Sequence, residues 1–195
     1  MDLQPEVSLR RFRELGVQDI DEMLNPYRQL GVFHDLEMGL VGREEFVARL
    51  NEHAGTDLTD EQVNEAIMLF LKGVPQYKFD YLEQLRKEYK IYILSNTNPY
   101  IMAYAHSPHF LPATGRTLSD YVDKVYASCE MQTMKPDRAI YEQMIADSGM
   151  VPERTLFIDD STANIEAAAA LGLQTLLAVN ATDWRPALAA RLQRD

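Results

Sequence analysis

The run from Thr155 to Gly172 constrains the fold more than any other stretch of this chain. Thr155-Leu156-Phe157-Ile158 is a short apolar strand that ends on two adjacent carboxylates, Asp159 and Asp160, and an alanine-rich helix closed by Gly172 follows at once. Two carboxylates side by side at the end of a buried strand repel one another unless a proton or a cation relieves them. A hard cation such as Mg2+ suits such oxygen donors. Read alone, the pair has a second explanation, in which Asp159 ends the strand and Asp160 caps the helix.

The rest of the chain divides by pattern. From Pro5 to about Tyr89 the text is helical: Val7, Leu9, Phe12 and Leu15 recur at helical spacing, as do Phe46, Val47 and Leu50, and then Val63, Ile67, Phe70 and Leu71. Asp57 and Thr59 supply N-cap chemistry for the third of these helices, and no convincing strand interrupts this half. After Tyr89 strands appear. Ile91 to Leu94 is a β-type run stopped by Ser95-Asn96-Thr97-Asn98-Pro99, where Asn98 can cap a helix and Pro99 can open it. Val122 to Ala127 is a second strand, Asp137 to Ser148 a helix stopped by Gly149, and Gln174 to Val179 a last strand. The segment Ser107 to Ser119, with Pro108, Pro112 and Gly115, reads as a surface loop. Strands alternating with helices predict an α/β fold with a parallel sheet covered on both faces. The expected organisation is an α-helical subdomain over 5–78 and an α/β core over 79–195. Ligands in such folds sit at the carboxyl ends of strands, where Ser95 and Asp159-Asp160 both fall.

Charge and cysteine content exclude several classes of function. A formal net charge of −11 disfavours nonspecific binding to nucleic acid or to anionic membranes, and obliges any anionic substrate to find a local positive site. The one cysteine, Cys129, rules out an internal disulfide framework and fits a reducing compartment. His34, His53, His106 and His109 show no zinc spacing. No apolar run is long enough to span a membrane and no signal peptide precedes Asp2, so the cytoplasm is the expected location.

Three features stand in order: Ser95-Asn96 after one strand, Lys135-Pro136 before a helix, and Asp159-Asp160 after a later strand. Each has an ordinary explanation by itself, as a turn, a solvated lysine or a cap. In combination, a hydroxyl with following backbone N–H groups, an ammonium and an acidic pair for a metal are what a phosphoryl group needs for positioning and charge neutralisation.

At these residues the chain resembles the haloacid dehalogenase superfamily, whose second, third and fourth motifs are similar to Ile93-Leu94-Ser95-Asn96-Thr97, Lys135-Pro136 and Phe157-Ile158-Asp159-Asp160. Ser95 to Asn98, Met134-Lys135-Pro136 and Asp159-Asp160 with Asn164 further resemble its sugar-phosphate phosphatase branch, which includes α-glucose-1-phosphate phosphatases. Phe33 to Gly39, followed by Glu44-Glu45-Phe46, looks like the helical cap of that branch. The resemblance implies a Rossmann-like parallel sheet with an α-helical cap. It also implies that Ser95 and the N–H of Asn96 hold phosphoryl oxygens, that Lys135 neutralises the nucleophile and the transferring group, and that Asp159 and Asp160 hold Mg2+ directly or through water. The cap would close over the site and read the leaving group, with Phe33, His34 and Glu37 as candidates for that contact.

The family begins with a strand ending in Asp-x-Asp or Asp-x-Gly, whose first aspartate attacks phosphorus. The sequence contains no such segment, and Asp2 is not assigned as the nucleophile because no apolar strand leads into it. The first central strand is therefore expected to be absent, the chain to start at an internal methionine, and the 195 residues alone to be inactive and to fold poorly. Three other readings are open or dismissed on stated grounds: a noncatalytic phosphate- and Mg2+-binding module, a sugar phosphomutase, and a phosphoacceptor receiver domain. The last is discounted because its acidic pair precedes the hydroxyl and lysine, the reverse of the order here.

Overall fold

The computed structural model describes residues 2–24, 30–178 and 182–192 of the chain. They fall in two compact units, Met1–Gln132 and Thr133–Asp195. The boundary expected at 78/79 lies inside the first unit.

In the first unit, β1 (Asp2–Leu3) leads into α1 (Pro5–Glu14), α2 (Ile20–Met23), α3 (Gly31–Glu37), α4 (Arg43–Ala54) and α5 (Asp60–Met68). Pro5 opens α1, and Thr59 caps α5 reciprocally with Gln62, which satisfies two amides that would otherwise lack partners. The apolar faces of these helices meet around Phe12, Phe33, Leu36, Phe46, Leu50 and Val63, all buried. Edge-to-face ring contacts run from Phe12 to Phe33 at 5.6 Å and from Phe33 to Phe46 at 4.9 Å. The expectation of a strand-free first half needs correction: β2 (Leu71–Gly73) pairs antiparallel with β1. Strands of two and three residues carry no readable alternation, and their pairing joins segments some 70 positions apart, so only folding reveals them.

The same unit continues through α6 (Gln76–Leu85), β3 (Tyr92–Ser95), α7 (Pro99–Ala105), β4 (Lys124–Ala127) and α8 (Ser128–Met131). β3 and β4 run parallel, in register from Tyr92 opposite Lys124 to Ser95 opposite Ala127. Phe79, Phe110, Tyr121 and Val122 form a second buried cluster beside these strands. The 107–119 segment is the expected loop, with an isolated bridge between Leu111 and Arg116 and a short 3-10 turn at Leu118–Asp120.

The second unit contains α9 (Arg138–Ser148), β5 (Leu156–Asp159), α10 (Thr162–Ala169), β6 (Gln174–Leu177) and α11 (Arg185–Leu192). β5 and β6 are parallel, with Asp159 opposite Leu177. A strand, a helix and a parallel strand in succession form one βαβ unit, as the alternation of patterns predicts. Val179, the expected end of the last strand, lies outside the described residues. The described strands form three two-stranded sheets, and none of them is an apolar strand ending in Asp-x-Asp or Asp-x-Gly.

Candidate active site

In the second unit, β5 delivers Asp159 as its last residue and Asp160 as the residue just beyond it. The two neighbours face different surroundings. Asp159 is nearly enclosed, its side chain 7% exposed beside that of Lys135 at 11%, and Lys135 Nζ donates to Asp159 Oδ2 at 2.6 Å. The other oxygen, Oδ1, accepts from the Ser161 backbone N–H at 2.9 Å and from Asn164 Nδ2 at 2.8 Å. Asn164 is in turn fixed by its own backbone, whose carbonyl accepts from the buried Tyr141 hydroxyl at 3.1 Å. Burial, with the Asp159 carboxylate nearby, raises the Tyr141 phenol well above its ordinary value and keeps it a donor. Phe157 lies under the ion pair, with its ring centroid 5.8 Å from Lys135 Nζ and 5.5 Å from the Tyr141 ring. Asp160, by contrast, is exposed.

The two carboxylates of the acidic pair differ in their surroundings. A buried charge needs a partner and hydrogen bonds to both oxygens, and Asp159 has them. One of its oxygens accepts from Lys135 and the other from Ser161 and Asn164. Asp160 presents its oxygens to solvent, and it does not cap α10, where Ser161 occupies the N-cap position. Among the described residues no group of three or more His, Cys, Asp or Glu side chains forms a ready-made metal cage. Mg2+ is commonly held by one or two carboxylates and completes its shell with water and phosphate oxygens, so the donor chemistry of this strand end fits it.

In the first unit, β3 ends on Ser95, and the chain then turns through Asn96 and Thr97 to Asn98, whose side chain caps α7 by accepting from Tyr100 N and Ile101 N at 3.1 and 3.2 Å. The turn is held on its other side by Ser128, at the junction of β4 and α8. Ser128 Oγ accepts from Thr97 N at 2.9 Å and donates to Thr97 O at 3.1 Å. Ser95 is half-buried, its hydroxyl donating to the carbonyl of the next residue at 3.3 Å. Thr97 Oγ1 is enclosed, with no hydrogen-bond partner among the described residues.

The three candidates for reading a leaving group separate. Phe33 is 3% exposed and locked between Phe12 and Phe46, so it serves packing and offers no face to a ligand. His34 lies on the outer side of α3, with Nδ1 3.4 Å from an Asp35 carboxylate oxygen. Glu37 ends α3 beside α8, where burial pushes its carboxyl up to about 7. The following residue but one, Gly39, is forced by contact: its φ is +65°, and a Cβ there would lie 1.9 Å from the Cys129 carbonyl oxygen. Asp2, in β1, accepts from Lys78 Nζ at 2.8 Å, which holds its carboxyl below the usual range.

Tyr141 and Ser128 are the contributors that sequence reasoning did not find, whereas Asn164 was legible beside the acidic pair through the Asp159-x4-Asn164 spacing, a strand end followed by the first turn of a helix. Tyr141 and Ser128 reach their partners through tertiary packing, 23 and 31 positions away.

Each unit thus ends a parallel strand on one of the motifs, Ser95 on β3 in the first and Asp159 on β5 in the second. A family model for haloacid dehalogenase-like hydrolases matches residues 7–172, and the chain belongs to that family. It is 39% identical over 188 residues to a D-ribitol-5-phosphate phosphatase of Bacteroides thetaiotaomicron, which covers 96% of this chain and 91% of that protein. Among solved structures, a predicted HAD-like family hydrolase from Porphyromonas gingivalis superposes with a TM-score of 0.92 at 49% identity, over 99% of this chain and 92% of that one. A HAD family enzyme from Bacteroides thetaiotaomicron, solved as an aspartate-to-alanine mutant in complex with magnesium and inorganic phosphate, superposes with a TM-score of 0.90 at 33% identity, over 96% of this chain and 92% of that one.

Proposed function

We propose that the chain is the scaffold of a Mg2+-dependent phosphatase of small phosphorylated metabolites, of the sugar- and polyol-phosphate class. The observation that carries this reading is the asymmetric acidic pair. Asp159 is committed to Lys135, which leaves the ammonium oriented and nearly dry, while Asp160 is left open to solvent. An ammonium in a water-poor site is worth far more to a developing phosphoryl charge than one in bulk water. Relatives support the substrate class. One acts on D-ribitol 5-phosphate, and another was crystallised with magnesium and inorganic phosphate.

In this reading Ser95 and the Asn96 N–H hold phosphoryl oxygens, and Lys135 neutralises the transferring group. Asp160 is the direct ligand of Mg2+, and Asp159 acts through Lys135 and Asn164 rather than on the metal. When bound, Mg2+ supplies charge neutralisation to the phosphoryl oxygens. The reaction passes through an aspartyl phosphate, and its nucleophile is not assigned to any of the 195 residues. His34 and Glu37 stay as candidates for contact with the leaving group. The helical residues 5–78 act as the cap, and the cytoplasm suits a chain with a single reduced cysteine.

The test places a strand ending in Asp-x-Asp ahead of Asp2, and measures inorganic phosphate released from a panel of polyol and sugar phosphates with and without Mg2+. Mg2+-dependent release is expected, with Asp160→Ala weakening Mg2+ affinity and Asp159→Asn losing rate at unchanged metal affinity. Release of an isomeric sugar phosphate in place of inorganic phosphate would make the protein a mutase. Tight phosphate binding without release on any substrate would make it a binding module.

A further inference from the structure

Three helices of the first unit begin at one place. Arg43 is the first residue of α4, Asp60 the first of α5 and Tyr100 the second of α7. The Tyr100 side chain is fully buried, its ring 6.1 Å from that of Phe46, and its hydroxyl donates to Asp60 Oδ1 at 2.8 Å. The guanidinium of Arg43 lies 4.2 Å from the Tyr100 ring centroid and donates to both Asp60 oxygens, from Nε to Oδ1 at 3.1 Å and from Nη2 to Oδ2. Stability alone does not account for this cluster. Arg43 and Asp60 are 38% and 40% exposed, a setting in which ion pairs contribute little, and a phenylalanine would fill the cavity of Tyr100 without needing a partner for its hydroxyl.

What the cluster does fix is α7, and through α7 the turn that precedes it. Tyr100 N is bound by the Asn98 side chain, and Asn98 closes the turn that starts at Ser95. Ser128 holds Thr97 from the opposite side. The turn is thus held between β4–α8 and the beginnings of α4 and α5. We propose that Arg43, Asp60 and Tyr100 are positioning residues that set the Ser95–Asn98 turn, so that the helical elements of residues 43–68 tune its hold on a phosphoryl group. This rests on the phosphate-binding role given above to Ser95 and Asn96. Burial and the adjacent Asp60 carboxylate raise the Tyr100 phenol well above its ordinary value, which keeps it a donor at any physiological pH.

The experiment measures the dissociation constant of inorganic phosphate, with Mg2+ present, for the full chain and for Tyr100→Phe, Asp60→Asn and the double variant. Each single variant is expected to weaken phosphate roughly three- to tenfold, and the double variant no more than the worse single one, because the two groups act as a unit. Ser8→Ala, which removes a buried 2.7 Å bond from Ser8 Oγ to the Ala66 carbonyl in the same helical core, serves as control. It should lower the melting temperature and leave phosphate affinity unchanged. Triad variants that bind phosphate like wild type, or a Ser8→Ala loss of equal size, would overturn the proposal. A wild-type chain that binds no phosphate at all removes the phosphate-site reading itself, and the proposal with it.

Discussion

Asp159 and Asp160 are the same residue type at adjacent positions, yet one carboxylate is committed to Lys135, Ser161 and Asn164 while the other faces water. Strand geometry explains the difference, since successive side chains point to opposite sides and Asp160 has already left the strand. Glu37 shows the same dependence on surroundings. Its ordinary value is 4.5, and burial lifts it to about 7. In the unfolded chain it ionises first, while the folded chain holds its proton longer. Folding therefore loses stability as pH rises from the lower value to the upper, and the loss is complete above the upper one. Glu37→Gln is expected to match wild type near about pH 4 and to be more stable by about 1–2 kcal/mol near about pH 8, residual contact with solvent discounting the full shift. Denaturant titrations at the two pH values check this, and equal differences at both would contradict it.

At the scale of elements, most boundaries fall within one or two residues of where periodicity and capping place them. Asn98 and Pro99 open α7 as their chemistry requires, and Thr59 opens α5. β3 and β5 are each displaced by one residue, which brings Ser95 and Asp159 into the strands as their last members. Polar residues are poor strand formers by propensity, and it is the parallel partner that retains them, Ala127 for Ser95 and Leu177 for Asp159. The β1–β2 ribbon could not be read at all, because two or three residues define no period. Asn98→Ala is predicted to lower stability by about 1 kcal/mol through loss of the α7 cap. It should also weaken inorganic phosphate, whereas Thr59→Ala, which removes the α5 cap, should cost similar stability with a smaller effect on phosphate. Paired melting and calorimetric measurements separate the two.

For the molecule as a whole, the 195 residues carry a hydroxyl turn, an oriented ammonium and an open carboxylate, and no assigned nucleophile. A polypeptide of these residues alone is expected to be stabilised against heat by inorganic phosphate with Mg2+, by about 2–3 kcal/mol at a hundredfold excess over the dissociation constant, with phosphate release from esters as the second readout. Measured turnover would show that a carboxylate of this chain serves as the nucleophile. The α/β class, the alternation of elements and the order of the three motifs were all determined by the sequence itself, because strand and helix periods and caps are local properties. The tertiary structure decided which carboxylate meets Lys135, that Phe33 is a core residue, that Glu37 is raised by burial, and that Tyr100 joins Asp60 and Arg43. Those contacts link residues 24 positions apart in the case of Lys135 and Asp159, and 40 in that of Tyr100 and Asp60. No local pattern encodes them, since they exist only where packing has removed water and brought distant side chains within hydrogen-bonding reach.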